Sequence, residues 1–109
     1  MAKLYRPTGE IEEVKPAAKN KWTLKELQEL VGGDIELMPS VAPLRMLFHE
    51  LGKILDLPTN DNATKVLHTR MAQRLGVSIE QLPAEIGKRL RYLPTVRGNA
   101  LVLDVGERM

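Results

Sequence analysis

The side chains that could do chemistry in this 109-residue chain are few, and their spacing suits binding better than catalysis. His49 and His68 lie 19 residues apart, with Glu50 and Asp61 near them in sequence. No His-x-x-x-His or comparable ligand spacing accompanies them, so a metal site is not expected. There are no cysteines, which excludes disulfides, thiolate metal centres and a thiol nucleophile. Ser40 and Ser78 sit in no Gly-x-Ser-x-Gly elbow. Gly32-Gly33 lacks the remainder of a phosphate-binding loop and reads as a helix stop. Glu12-Glu13 and the Glu26/Glu29 pair fall on expected exposed surfaces, where an ordinary carboxylate is the default. The expectation is a protein that is not an enzyme and has no cofactor.

Binding chemistry concentrates in two places. Phe48–Thr64 packs a Gly52-Lys53 turn, a Leu57-Pro58-x-Asn60 break and an Ala63-Thr64 helix start into one run. Lys53, Asn60, Asp61 and Asn62 offer polar contacts there, although Asn60 would serve equally as a helix cap and Gly52-Lys53 as an ordinary hairpin turn. Beyond it the charge changes. Residues 65–97 carry 7 Lys/Arg against 2 Asp/Glu, a local +5 in a chain of net charge +2. Arg70 and Arg74 are one helical turn apart, and Lys88, Arg89 and Arg91 follow. These cations suit an anionic ligand or partner; a solvated helical face is the plainer reading.

Met71–Leu82 also imitates a helix-turn-helix, with small Ala72, a turn at Gly76, apolar Val77 and Ser78 capping a would-be recognition helix. Arg70, Arg74, Lys88, Arg89 and Arg91 would then meet phosphates. Pro83 and Glu85 count against this reading. The proline removes a hydrogen bond early in that helix, and the glutamate stands where an apolar residue should turn inward.

The elements that must position these groups follow from local pattern. Leu4–Arg6 and Glu10–Val14 flank Pro7-Thr8-Gly9 as a hairpin. Thr23 and Glu26 form a capping box, Trp22 and Leu27 a hydrophobic staple, and Leu24, Leu27, Leu30 and Val31 an apolar stripe ending at Gly32-Gly33. Asp34–Met38 and Leu44–Phe48 read as strands, with Pro39–Pro43 a loop between them. Ala63, Leu67, Met71 and Leu75 predict a helix closed by Gly76, capped by Asn60 or Asn62. Ser78–Gln81 predicts a second capping box before a short helix through Ile86 and Leu90. Arg97–Val105 reads as a turn feeding a strand apolar enough to be central. The order β-β-α-β-β-α-α-β predicts one α+β domain over 1–109. It has a small, mostly antiparallel sheet with helices packed on one face and a basic two-helix insertion at 65–95.

Composition bounds the rest. The 43% apolar and 28% charged fractions are those of a globular domain, and no apolar run approaches the ~20 residues that span a bilayer. The Met-Ala-Lys-Leu-Tyr start lacks the apolar stretch of a signal peptide, so a cytoplasmic protein without a membrane partner is expected. Four aromatic residues, Tyr5, Trp22, Phe48 and Tyr92, are too few for a base-stacking surface.

Three blocks together resemble a phage and mobile-element family, the domain of unknown function numbered 3846. The first is Tyr5-x-Pro7-x-Gly9 leading to Leu24-x-x-Leu27-Gln28-x-x-Val31-Gly32-Gly33-x-Ile35-Glu36. The second is Glu50-x-Gly52-Lys53-x-x-x-Leu57-Pro58-x-Asn60-x-x-Ala63-Thr64, and the third is Arg97-Gly98-Asn99-Ala100-Leu101-Val102. The resemblance covers residues 3–64 and 96–105 and implies an accessory protein of a phage, prophage or plasmid, acting in a host cytoplasm; it supplies no catalytic residues. Similar proteins pass from the Ala-Thr segment to the last strand by a shorter connection, so the basic stretch 65–95 departs from them. The leading expectation is a non-enzymatic counter-defence or host-modulation protein. It would bind a host protein or an anionic small ligand through residues 49–64 and the adjoining basic helices. The alternative is a DNA-binding regulator using residues 68–90. A third reading is a homo-oligomer pairing strand edges at Lys3–Arg6 or Val102–Val105.

Overall fold

In a computed structural model, which describes residues 1–37, 45–88, 94–104 and 106–108, the chain runs through eight elements. They are β1 (Ala2–Tyr5), β2 (Ile11–Val14), α1 (Leu24–Val31), β3 (Ile35–Leu37), β4 (Arg45–His49), α2 (Asp61–Leu75), α3 (Leu82–Gly87) and β5 (Ala100–Leu103). The order is the one the sequence pattern predicts. The expected loop at Pro39–Pro43, with Met38 and Leu44, and the expected helix end at Leu90 lie outside the described residues.

Each helix has a chemical reason to start and stop. At α1 the Thr23 hydroxyl accepts from the Glu26 N–H at 3.2 Å, while the Glu26 carboxylate accepts from the Thr23 N–H at 2.9 Å and the Ala17 N–H at 2.8 Å. Trp22 and Leu27 are both buried beside the cap, as the staple requires. Helix α2 is capped by Asn60, not Asn62, and ends at Gly76. Ser78 and Gln81 exchange the two bonds of a capping box, at 3.0 and 3.2 Å, but they close a turn and α3 begins only at Leu82. Pro83 explains the late start: in the first turn its missing N–H costs no intrahelical bond.

The five strands form one antiparallel sheet in the order β2-β1-β5-β4-β3, which makes β5 central as its apolar run predicts. Neither edge expected to be open for self-pairing is open. β1 lies between β2 and β5, and β5 between β1 and β4, so the sheet edges among the described residues are β2 and β3.

The α+β class and the antiparallel sheet stand, but the helices do not share a face. Leu4, Leu47, Leu101 and Leu103 pack with Trp22, Leu27 and Val31 on the α1 side. Tyr5, Met46 and Ala100 pack with Ala63, Leu67 and Met71 of α2 and Leu82 and Ile86 of α3 on the other. The cause is visible in the strands: Met46-Leu47 and Ala100-Leu101 put apolar side chains on opposite faces, so both faces need a cover. The stretch after Thr64 therefore builds half of the core.

Asn60 joins these layers. It is 1% exposed, and its oxygen accepts from the Ala63 N–H at 3.1 Å as the α2 cap. Its Nδ2 donates to the Tyr5 carbonyl at the end of β1 and to the Gly98 carbonyl before β5, both at 2.8 Å. Asn60→Ala leaves one donor and two acceptors without partners and should cost roughly 3 kcal/mol in urea unfolding. Asn60→Asp keeps the cap but aims a carboxylate at two carbonyls. It should be at least as damaging, whereas a residue that only capped the helix would tolerate it.

The two backbone N–H bonds, from Ala17 first and then Thr23, hold the Glu26 carboxyl below its ordinary value of 4.5. A lowered folded-state value contributes stability that is complete above the unfolded value and fades as pH falls through the folded one. The stability difference between wild type and Glu26→Gln should accordingly be largest at neutral pH and shrink from about pH 4.5 downward, read by thermal melts across that range.

Candidate functional site

The run after β4 is a chain of tight turns over residues 50–56. Gly52 N–H donates to the His49 carbonyl, Leu55 N–H to Leu51 and Leu57 N–H to Gly52, at 3.2, 2.9 and 3.0 Å. The His49 ring is built into the start: its Nδ1 accepts from the Leu51 N–H at 3.0 Å. The other ring edge presses on the backbone after α1, where a Cβ on Gly33 would collide with His49 Nε2. Position 33 therefore has no room for a side chain.

The far end of the run is fastened by the segment before β5. Arg97 Nη1 donates to the Asp56 carboxylate and to the Leu57 carbonyl, both at 3.1 Å. Gly98 N–H donates to the Pro58 carbonyl at 2.8 Å, and Asn99 reaches the last turn of α1 through a 3.0 Å bond to the Leu30 carbonyl. Gly98 has φ +76°, a conformation that favours glycine, and a Cβ there would crowd the tip of the Leu57 side chain at 2.9 Å. The three sequence blocks, distant along the chain, thus meet at one end of the sheet.

Their meeting forms a cleft of about 370 Å³, lined by Glu36, Phe48, His49, Glu50, Gly52, Lys53, Ile54 and Pro94, Thr95 and Arg97. Phe48 of β4 lies in register with Glu36 of the edge strand β3. The turn run closes one end, and its apex holds Leu51 at 40%, Ile54 at 81% and Leu55 at 54% exposure. The lining mixes apolar surface with two carboxylates, an ammonium and a guanidinium. No serine is among the residues that line it, and the chain has no cysteine. Such a set can hold and orient a ligand.

Of the residues expected to make contacts, Lys53 is exposed and lines this cleft. Asn60 is corrected: buried and fully occupied by backbone partners, it holds the fold and presents nothing to a partner. Asn62 is half-buried and donates to the Gly9 carbonyl at 3.1 Å, tying the β1–β2 turn to α2. Asp61 is exposed in the first turn of α2, where a negative charge complements the helix dipole. It borders a shallow depression with Thr64, Lys65, His68, Thr69 and Ile79. Arg70 and Arg74 are exposed on α2, and Lys88 is exposed and 3.4 Å from Glu85; none of the three lines the cleft. Arg89 and Arg91 lie outside the described residues. Sequence reasoning missed Glu36, Glu50 and Arg97 as cleft residues. All three fall inside the quoted blocks, but only the fold brings those blocks together.

Compared with known proteins, the chain matches no family model, no curated protein and no solved structure. No helix among the described residues is long and apolar enough to cross a membrane.

The contact between Gly33 and His49 makes a quantitative test. Gly33→Ala should destabilise by about 1–3 kcal/mol through overpacking. In a His49→Ala background, where the ring is gone, most of that cost should vanish. A double-mutant cycle in urea measures the coupling.

Proposed function

We propose that the protein is a non-enzymatic binding protein that engages a host protein through the surface made by residues 49–58 and the cleft beside them. The observation that carries this is the apex of the turn run. Leu51, Ile54 and Leu55 stay exposed on a segment fastened at both ends by His49, Arg97 and the Gly98 backbone. Fully burying an aliphatic side chain of this size is worth about 1.5–3 kcal/mol, and here that gain is left for a partner to realise. A fastened loop also surrenders little further conformational entropy on docking. The resemblance to the phage and mobile-element family supports a host-modulating or counter-defence setting in the host cytoplasm.

A second reading, duplex DNA binding, has one observation in its favour: Lys65, Arg70, Arg74 and Lys88 are exposed on α2 and after α3. The shape of α3 tells against it. It is six residues long, and Leu82 and Ile86 face the core, so what it exposes is mainly Pro83, Ala84 and Gly87, with little reach toward base edges.

One comparison separates the two. Ile54→Asp alters a side chain that is 81% exposed and should leave unfolding stability within about 0.5 kcal/mol of wild type. Affinity capture from host lysate should lose its specific partner with this variant, and mixed-sequence duplex at low salt should be retained by neither protein. Unchanged capture would remove the loop from the site. Duplex retention with a steep, linear fall in log affinity against log salt would move the site to the α2 face.

A further inference from the structure

The cleft is lined by charges of both signs, contributed by different segments of the chain. Glu36 stands on the edge strand β3, and Glu50 directly follows β4. Arg97 enters with the segment 94–97. Neither glutamate carboxylate is engaged in a hydrogen bond or ion pair among the described residues. Among the described residues the Arg97 side chain makes two hydrogen bonds, both through one nitrogen, Nη1. Its side chain is 32% exposed, and among the described residues no side-chain nitrogen or oxygen is buried without a partner. The Nε and Nη2 hydrogens are therefore open to solvent, and together they form the planar edge that matches a carboxylate bidentately.

A simple anion in this cleft would be repelled by the two glutamates, and a simple cation by Arg97 and Lys53. A ligand bearing both charges suits all of them. Its volume lies at the lower end of the range for small-molecule sites, roughly 300–1,000 Å³. We propose that the cleft receives a small dipolar ligand of the amino-acid or short-peptide class. Its ammonium would lie toward Glu36 and Glu50, its carboxylate on the open edge of Arg97, and its apolar body over Phe48, Ile54 and Pro94. Asp56, whose side chain is 91% exposed, occupies the remaining side of the same guanidinium and acts as an internal competitor for it.

This inference rests on the cleft being a binding site, as proposed above, and names its ligand class. The test uses the dipeptide leucyl-leucine, its N-acetyl form and its C-terminal amide, each titrated into isotope-labelled protein and followed by amide NMR shifts. The free dipeptide should shift amides of residues 50–54 and 95–98, and blocking either end should weaken binding by about tenfold. Glu36→Gln should erase the preference for the free over the acetylated dipeptide while keeping the preference for carboxylate over amide. Asp56→Asn, which tolerates the left-handed backbone found at this position (φ +51°), should tighten every carboxylate-bearing probe by about two- to fivefold. Equal binding of all three probes, binding that Glu36→Gln and Asp56→Asn do not alter, or no shift at millimolar concentration would each overturn the proposal. If probes fail while protein capture still depends on Ile54, only the dipolar-ligand inference falls; if capture is also unchanged by Ile54→Asp, the loop reading falls with it.

Discussion

The Asn60 carboxamide must accept one hydrogen bond and donate two inside a site that water does not reach, and the docking of α2 onto the sheet depends on all three. Its acceptor fixes the first turn of the helix; its donors grip carbonyls from the end of β1 and the approach to β5. Serine, threonine or aspartate would cap the helix but could not supply two donors from one short side chain. Because the partners are backbone atoms, the bond geometry sets where the main chain must run. That placement brings Val96 N–H to the Thr64 hydroxyl at 2.9 Å and the Asn60 N–H to the Val96 carbonyl at 2.8 Å, which lays residues 94–98 along the start of α2. One wall of the cleft is thus a consequence of a helix cap.

The turn run next to it shows the opposite economy. Its backbone is pinned at several points, one of them an aspartate in the left-handed region at φ +51°, a conformation that costs about 1 kcal/mol or more and persists only where surroundings enforce it. Arg97 supplies that enforcement through Asp56 and Leu57. Meanwhile the side chains at the apex contribute little to the core. Ordered backbone with exposed aliphatic side chains is poor practice for stability alone. It is a sound way to present a preorganised surface, since the entropy of shaping the loop has been lost already on folding.

Much of this was legible in the amino-acid pattern because it is local. The capping box at Thr23 and Glu26, the closing Gly76, and the fourfold spacing of Ala63, Leu67 and Met71 each involve residues within a turn or two of one another. The order of elements followed from them. What failed was non-local. The pattern predicts helices on one face of the sheet, although Met46-Leu47 and Ala100-Leu101 are consecutive apolar pairs that call for cover on both. Asn60 looked like a contact residue because polarity near a loop suggests exposure; the two carbonyls that claim it come from residues 55 and 38 positions away. The cleft itself could not be read, because its carboxylates and its guanidinium come from separate blocks.

The same distinction bears on the basic segment. Counted along the chain, residues 65–97 form one positive run, and a run of charge invites the picture of one positive surface. In space, Arg97 belongs to the cleft, held between Asp56 and Leu57, while Arg70 and Arg74 belong to the exposed side of α2. At physiological ionic strength charges are screened over about 8 Å, so solvent-exposed charges farther apart than that do not add into a single field. What the cleft itself offers is short-range: a guanidinium, two carboxylates and apolar surface from Phe48, Ile54 and Pro94. Such a mixed lining differs in kind from the diffuse attraction that a positive run would exert on any polyanion.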